Sequence, residues 1–289
     1  MKRPLFPGGP SRHPQNRLRG KAIPARAGRT WVWTGMALGV LIASVLYAPA
    51  AWLASWVNGL SGERVLLAEA EGSIWTGNAV LVLAGGPGSQ AARALPGRLV
   101  WRLRPQGLGL KLALEHACCL APGAQLAVQP GWGEVSVIVG AGASASGLNT
   151  LGQWPAAWLV GLGTPWNTLQ PGGALHLTTR ELHLQWAQGR FRMTGQAQLE
   201  LRDFSSRLTQ LPRLGSYRLD ATGDGQGPTQ LQLSTLDGAL KMQAEGTLGA
   251  SGLRLRGEAT AAEADQGVLN NLLNIIGRRQ GARSLISIG

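Results

Sequence analysis

"EHACCLAPG", residues 115–123, holds the tightest group of side chains able to do chemistry in this sequence. His116, Cys118 and Cys119 offer one nitrogen and two sulfurs, the donor types that hold zinc. A structural zinc site needs four such ligands, and no second His or Cys cluster completes the set. On an extended strand Cys119 also points away from the other two, because successive side chains alternate faces. Neither a metal nor a cofactor is expected. Two thiols do not stay free in an oxidising compartment, and a bond between adjacent cysteines is strained. Three states stay open for the pair: a vicinal disulfide, buried thiols, or cross-links to another chain.

Other catalytic signatures are missing. His13, His176 and His183 stand outside any H-E-x-x-H pair or close carboxylate cluster. No serine sits in G-x-S-x-G and there is no P-loop. Gly140-Ala141-Gly142-Ala143-Ser144-Ala145 imitates a dinucleotide fingerprint after a strand-like run, but Gly147, Gly152 and Pro155 interrupt the helix that must follow. The first acid downstream is Glu181, well past the usual spacing of about 20 residues. Enzymatic activity is not expected.

The elements that must position these residues are mostly strands. In "GLGLKLALEHA", Leu108, Leu110, Leu112 and Leu114 fall on one side and Lys111 and Glu115 on the other, the alternation of a half-buried strand. "GRFRMTGQAQLELRD" repeats it, and the run from Thr229 gives three more strands broken at Asp237-Gly238 and Gly249–Gly252. Further strands are expected over 65–70, 79–84, 98–103, 125–129, 134–139, 174–179, 182–187 and 217–223. The expected fold is mainly β, a curved antiparallel meander whose apolar face is covered by one or two short amphipathic helices. One helix is expected from Trp154, Trp158 and Leu162, closed by Gly163 and Pro165. The other carries Val268, Leu269, Leu272, Leu273 and Ile276 on one stripe, with Asp265 at its N-cap and Gly277 at its stop; the stripe is expected to pack on the sheet.

The formal charge of +12 would point to nucleic acid if it were spread over the chain. It is not. Residues 1–29 hold 8 of the 27 Lys and Arg and no acid, leaving 19 bases against 15 acids elsewhere, about +4. No nucleic-acid partner is expected, and residues 1–29 read as a basic arm able to meet anionic lipid heads. No charge follows Arg29 until Glu63. A transmembrane helix is expected over 30–57, with Trp31, Trp33, Trp52 and Trp56 near its ends and about 20 apolar residues between. The arm sets its direction: N-terminus in the cytoplasm, residues 58–289 in the periplasm. Ala48-Pro49-Ala50 also fits a signal-peptidase site, but the long basic region and the apolar residues beyond the triplet favour a retained anchor.

Gly72-Ser73-Ile74-Trp75-Thr76-Gly77, at the entrance to the β-rich region, reads as a packing corner: Trp75 as the apolar anchor, Gly72 and Gly77 giving the backbone room to turn. A partner contact through Trp75 is the sharper alternative.

This corner begins a series of segments whose order resembles the type II secretion system protein N family. "LPGRLVWRL" (95–103, with Trp101), "GTPWNTLQPGGALHL" (163–177, with Trp166) and "LGSYRLDATGDG" (214–225, with Tyr217) follow in turn. "LSTLDGALKMQAEG" (233–246) and "LLNIIGRRQGA" (272–282, with Leu272 and Leu273) complete the series. The long basic arm and the Cys118-Cys119 pair are this sequence's departures from the resemblance. The resemblance implies a non-enzymatic inner-membrane part of the machine that exports folded periplasmic proteins across the outer membrane. Its neighbours would be the C, L and M components of the assembly platform and, farther off, the outer-membrane secretin. The alternative is a membrane-anchored carrier of lipid or another hydrophobic ligand, similar to AsmA-like envelope proteins.

Overall fold

A computed structural model describes residues 25–140, 149–250 and 252–289. The basic arm as far as residue 24, with His13, and the fingerprint-like run from residue 141 lie outside the described residues. The chain divides at Tyr47–Ala48 into two units. The first contains helix α1 (Ala25–Leu46) and the second begins with helix α2 (Ala50–Leu60). The helix expected over 30–57 is therefore two helices. Pro49 has no N–H to continue the helical ladder and disfavours helical backbone at the residue before it, so the chain turns extended there. Trp52 and Trp56 fall in α2, whose Ala50 is buried in the second unit. Among the described residues no helix is long and apolar enough to cross a membrane.

The first strands are β1 (Val65–Gly72), β2 (Thr76–Ala84), β3 (Ala92–Ala94), β4 (Leu99–Gln106) and β5 (Gly109–His116). Then come β6 (Gln125–Gly131), β7 (Glu134–Gly140) and β8 (Asn149–Pro155), a 3-10 helix (Ala156–Leu162) and the short α3 (Trp166–Leu169). Five long strands follow: β9 (Gly172–Ala187), β10 (Arg190–Ser205), β11 (Gly215–Asp224), β12 (Thr229–Gly238) and β13 (Leu240–Gly249). β14 (Gly252–Ala261), helix α4 (Gln266–Ile276), β15 (Arg278–Gln280) and β16 (Arg283–Ile288) end the chain.

The sixteen strands of the described residues join one open antiparallel sheet, in the order β1-β2-β4-β5-β6-β7-β9-β10-β11-β12-β13-β14-β16-β15. β3 pairs with β2 and β8 with the first half of β9, leaving the second half of β9 to β7. Strand neighbours in sequence are almost everywhere neighbours in the sheet, the meander that the alternation implies. The two strands expected at 174–179 and 182–187 are one, β9, carried through a bulge at Glu181–Leu182 opposite Gly195. Gly195 has φ +96 and no room for a Cβ against the Glu181 carbonyl, so only glycine lets β10 follow the bulge.

The mid-chain helix starts later than its Trp spacing implies. Trp154 lies in β8, and Pro155, which restrains Trp154 to extended backbone, delays the turn to Ala156. That turn is a 3-10 helix, and Gly161 packs directly against the Leu83 carbonyl of β2.

Two cores form. Ala50 of α2, Ala79 of β2 and Trp101 of β4 make the first, with Leu53, Leu67, Leu112 and Leu114 against them. In the second, Leu269, Leu272 and Leu273 of α4 pack on Phe204, Leu214, Tyr217 and Leu240 from β10 through β13. Asp265 stands at the N-cap position without a capping side-chain bond. Gly277 ends α4 in an extended conformation, φ −167, where any Cβ would strike the Leu285 carbonyl.

Candidate functional site

The corner between β1 and β2 is built from outside itself. Gly72 (φ +89) and the Ser73 N–H to Thr76 carbonyl bond, 2.9 Å, make the turn. The ring it encloses is that of Trp101, not of Trp75. Trp101 is opposite Gly77 in register and only 2% exposed, and its indole N–H donates to the Ser73 and Ile74 carbonyls, each at 3.2 Å. Trp75 is half-buried, and its carbonyl accepts the Leu103 N–H at 2.7 Å. Spacing in sequence made Trp75 the obvious filler; the register of β2 on β4 brings Trp101 there instead.

The same corner grips the start of the second unit. The Ile74 N–H donates to the Ala48 carbonyl at 3.0 Å and Ser73 bridges to Pro49. Ala48 and Ala50 are 2% and 1% exposed, so both alanines of the A-P-A triplet are buried in the fold, with Pro49 exposed between them. Arg98 braces the adjoining β1 bulge. Its guanidinium donates to Asn78 Oδ1 and to the Glu69 carbonyl at 2.6 Å, and pairs with the carboxylates of Glu69 (3.1 Å) and Glu71 (3.5 Å).

At the opposite edge of the sheet, His116 ends β5 and the two cysteines lie in the turn after it, not on the strand. Cys118 and Cys119 form a vicinal disulfide. His116 is 5% exposed; its Nδ1 stands 3.3 Å from Cys118 Sγ and burial lowers its pKa. The turn thus gathers all three residues, their ligand atoms within 4.8 Å of one another, but both sulfurs are spent on each other. Cys119 is buried and its backbone ties the turn to β8, its carbonyl accepting the Gln153 N–H at 2.9 Å.

The remaining residues singled out in the sequence are dispersed. Trp166 opens α3 and is half-buried. Tyr217, 3% exposed, donates its hydroxyl to the Leu240 carbonyl at 2.9 Å and meets Phe204 edge-on, 5.9 Å between centroids. Burial, aided by Asp237, raises its pKa. Leu272 and Leu273 pack in the same core. His176 and His183 lie on β9, and burial followed by the charge of Arg202 lowers the pKa of His176. A cleft of about 710 Å³ opens between the 3-10 helix and the loop after β10. Its lining includes Arg93 and Arg207 but no carboxylate, imidazole or thiol, so it holds no acid–base pair.

A family model for the type II secretion system protein N matches residues 63–285, from just before β1 into β16. The chain belongs to this family. The match takes in the meander as far as Leu285 and makes this chain a component of type II secretion. Comparison with curated proteins and with solved structures returns no match.

Within this fold, one polar cluster was invisible in the sequence. Glu200 on β10 is 6% exposed and accepts from Arg202 (2.7 Å) and from Arg218 on β11 (2.9 Å). Burial pushes its carboxyl up, and the hydrogen bonds and charges of the two arginines outweigh that and hold it below the usual value. Only the Glu200–Arg218 register pairing could have announced it.

Proposed function

We propose that this chain is a non-enzymatic, single-pass inner-membrane component of the type II secretion system. It sits in or beside the assembly platform, its arm in the cytoplasm and residues 58–289 in the periplasm. The observation that carries this reading is the junction at Ala48. On one side α1 has apolar side chains exposed at Trp31, Met36, Leu38, Leu41, Ile42 and Leu46, on all its faces. On the other, Ala48 is hydrogen-bonded to the corner of a wide sheet. A helix apolar all round and uncovered by protein is what a bilayer covers.

The uncharged part of α1, Thr30 to Leu46, is about 26 Å long at roughly 1.5 Å per residue. That is the short end of a span, with Trp31 and Trp33 at one interface and Tyr47 at the other. The basic arm sets the direction. The two alanines of the A-P-A triplet are buried and Ala48 is hydrogen-bonded to the corner, which favours retention over cleavage.

The second unit offers a sheet, not an active centre. Val268 and Ile275, 43% and 49% exposed, lie on the outer side of α4 and supply apolar contact points for a neighbour. That neighbour is one of the bitopic C, L or M platform components, with the secretin farther away. A photo-crosslinker at Val268 and Ile275, in cells with a working secretion system, tests this. Adducts with C, L or M uphold the reading, and phospholipid adducts alone overturn it in favour of a lipid carrier.

A further inference from the structure

A cross-link between neighbours in sequence staples nothing. The stabilisation a disulfide gives grows with the length of chain it closes, and Cys118 and Cys119 are adjacent. The turn that carries them is held without it. The Cys119 carbonyl accepts the Gln153 N–H at 2.9 Å and the Ala121 N–H donates to the Leu151 carbonyl at 2.9 Å, both across to β8. The Cys119 and Leu120 N–H groups return to the His116 carbonyl at 3.3 and 3.4 Å. Opening the sulfur bridge therefore leaves the backbone that aims both sulfurs in place.

His116 also lacks a packing reason. It is 5% exposed, no described residue bonds its Nε2, and its Nδ1 faces Cys118 Sγ at 3.3 Å. Burying an imidazole with an unpartnered nitrogen costs stability. A ligand role offsets that cost, whereas a leucine would fill the same place without it. At the ligand distances of a d10 ion such as zinc, roughly 2.0 Å for nitrogen and 2.3 Å for sulfur, the two donors stand about 3.6 Å apart, close to the observed gap. Cys118 is exposed, so a reductant and an ion both reach the sulfur. Glu115, the nearest carboxylate in sequence, is held by Arg102 at 3.0 Å, which leaves two sulfurs and one nitrogen as the donor set. A structural zinc site requires a fourth ligand. Thiolates select copper(I) as well, and that ion is stable with three.

We propose that the turn from His116 to Cys119 is a redox-gated copper(I) site. A dithiol opens the Cys118–Cys119 bond: its own sulfurs join to each other, and the two electrons and two protons they give up leave Cys118 and Cys119 as thiols. The ion then replaces both thiol protons, which pass to solvent, and is held by the two Sγ atoms and His116 Nδ1, donors that already lie within 4.8 Å of one another. With the disulfide closed, neither sulfur carries a thiolate and the ion is excluded. The site belongs to the turn alone and does not depend on how the chain meets the membrane.

The test uses the full chain in detergent, reduced with dithiothreitol, freed of it under nitrogen and titrated against the bicinchoninate complex of copper(I). One ion per reduced chain, with none taken up by the chain whose disulfide is closed, upholds the site. His116→Leu weakens uptake at least about tenfold with the circular dichroism spectrum unchanged. Copper-edge X-ray absorption on the loaded unmutated chain needs no variant, and finds two sulfurs and one nitrogen around the ion. Copper left wholly on the chelator, equal uptake by the closed chain, or one ion shared by two chains overturns the proposal. So does a shell of sulfur alone, or undiminished uptake by His116→Leu.

Discussion

Trp101 and Gly77 face each other across β4 and β2 so closely that a Cβ on Gly77 would stand 2.5 Å from the indole Cζ2. The β1–β2 corner closes over this ring, and Ala48 is bonded to the corner. Gly77→Ala therefore overfills the site and costs about 1–3 kcal/mol. Trp101→Ala empties it and costs about 3–5 kcal/mol. Trp75→Ala, at a half-buried ring, costs less than half as much as Trp101→Ala. Urea unfolding of the detergent-solubilised full chain, followed by far-ultraviolet circular dichroism, ranks the three. A Trp75→Ala cost equal to that of Trp101→Ala would sink the assignment of Trp101 as the filler.

How much of this was legible follows from where each signal resides. Strands β10 to β14 were readable because alternation is local: Phe191, Met193, Ala197, Leu199 and Leu201 announce a face without knowledge of any partner. β9 read as two strands because charged Arg180–Glu181 looks like a turn, and only pairing to β10 shows a bulge at Glu181–Leu182 in its place. β8 was missed because Trp154, Trp158 and Leu162 fit a helical stripe by coincidence of spacing. Trp101 at the corner and Arg218 at Glu200 depend on register, a property of two strands that neither contains. The cysteine pair was visible as chemistry, but its oxidation state was not.

Glu200 makes stability depend on acid pH. Its folded pKa lies below the unfolded value, so the unfolded chain binds more protons in the window between them. The stabilisation is fully present above the ordinary carboxylate pKa and is lost as pH falls through the depressed one. Glu200→Gln removes the titrating group and flattens this acid limb, while lowering stability near neutral pH because Arg202 and Arg218 lose their shared negative charge and one of its two acceptor oxygens. Melting temperatures at a series of acid pH values measure the slope; an unchanged slope in Glu200→Gln would mean the pair is not coupled to folding.

The vicinal disulfide predicts a covalent count. Denatured without reductant, the chain takes up no alkylating agent, and after reduction it takes up two equivalents, at Cys118 and Cys119. On a non-reducing gel it runs as a single chain. A disulfide-linked dimer would instead assign the thiols to cross-links between copies.

Helix α4 separates stability from association. Leu269, Leu272 and Leu273 are 0% exposed against Phe204, Tyr217 and Leu240, so Leu272→Ala costs about 2–5 kcal/mol. Ile275 is 49% exposed on the other side of the helix, so Ile275→Ser changes stability by no more than about 0.5 kcal/mol. If that outer side meets a platform component, Ile275→Ser reduces co-purification of the partner at unchanged melting temperature, whereas Leu272→Ala reduces both together. Thermal melts and pull-downs on the two variants make the comparison. Equal partner recovery by Ile275→Ser and the unmutated chain would remove α4 from the docking surface, because a buried apolar contact at a protein interface does not survive replacement by a hydroxyl without loss.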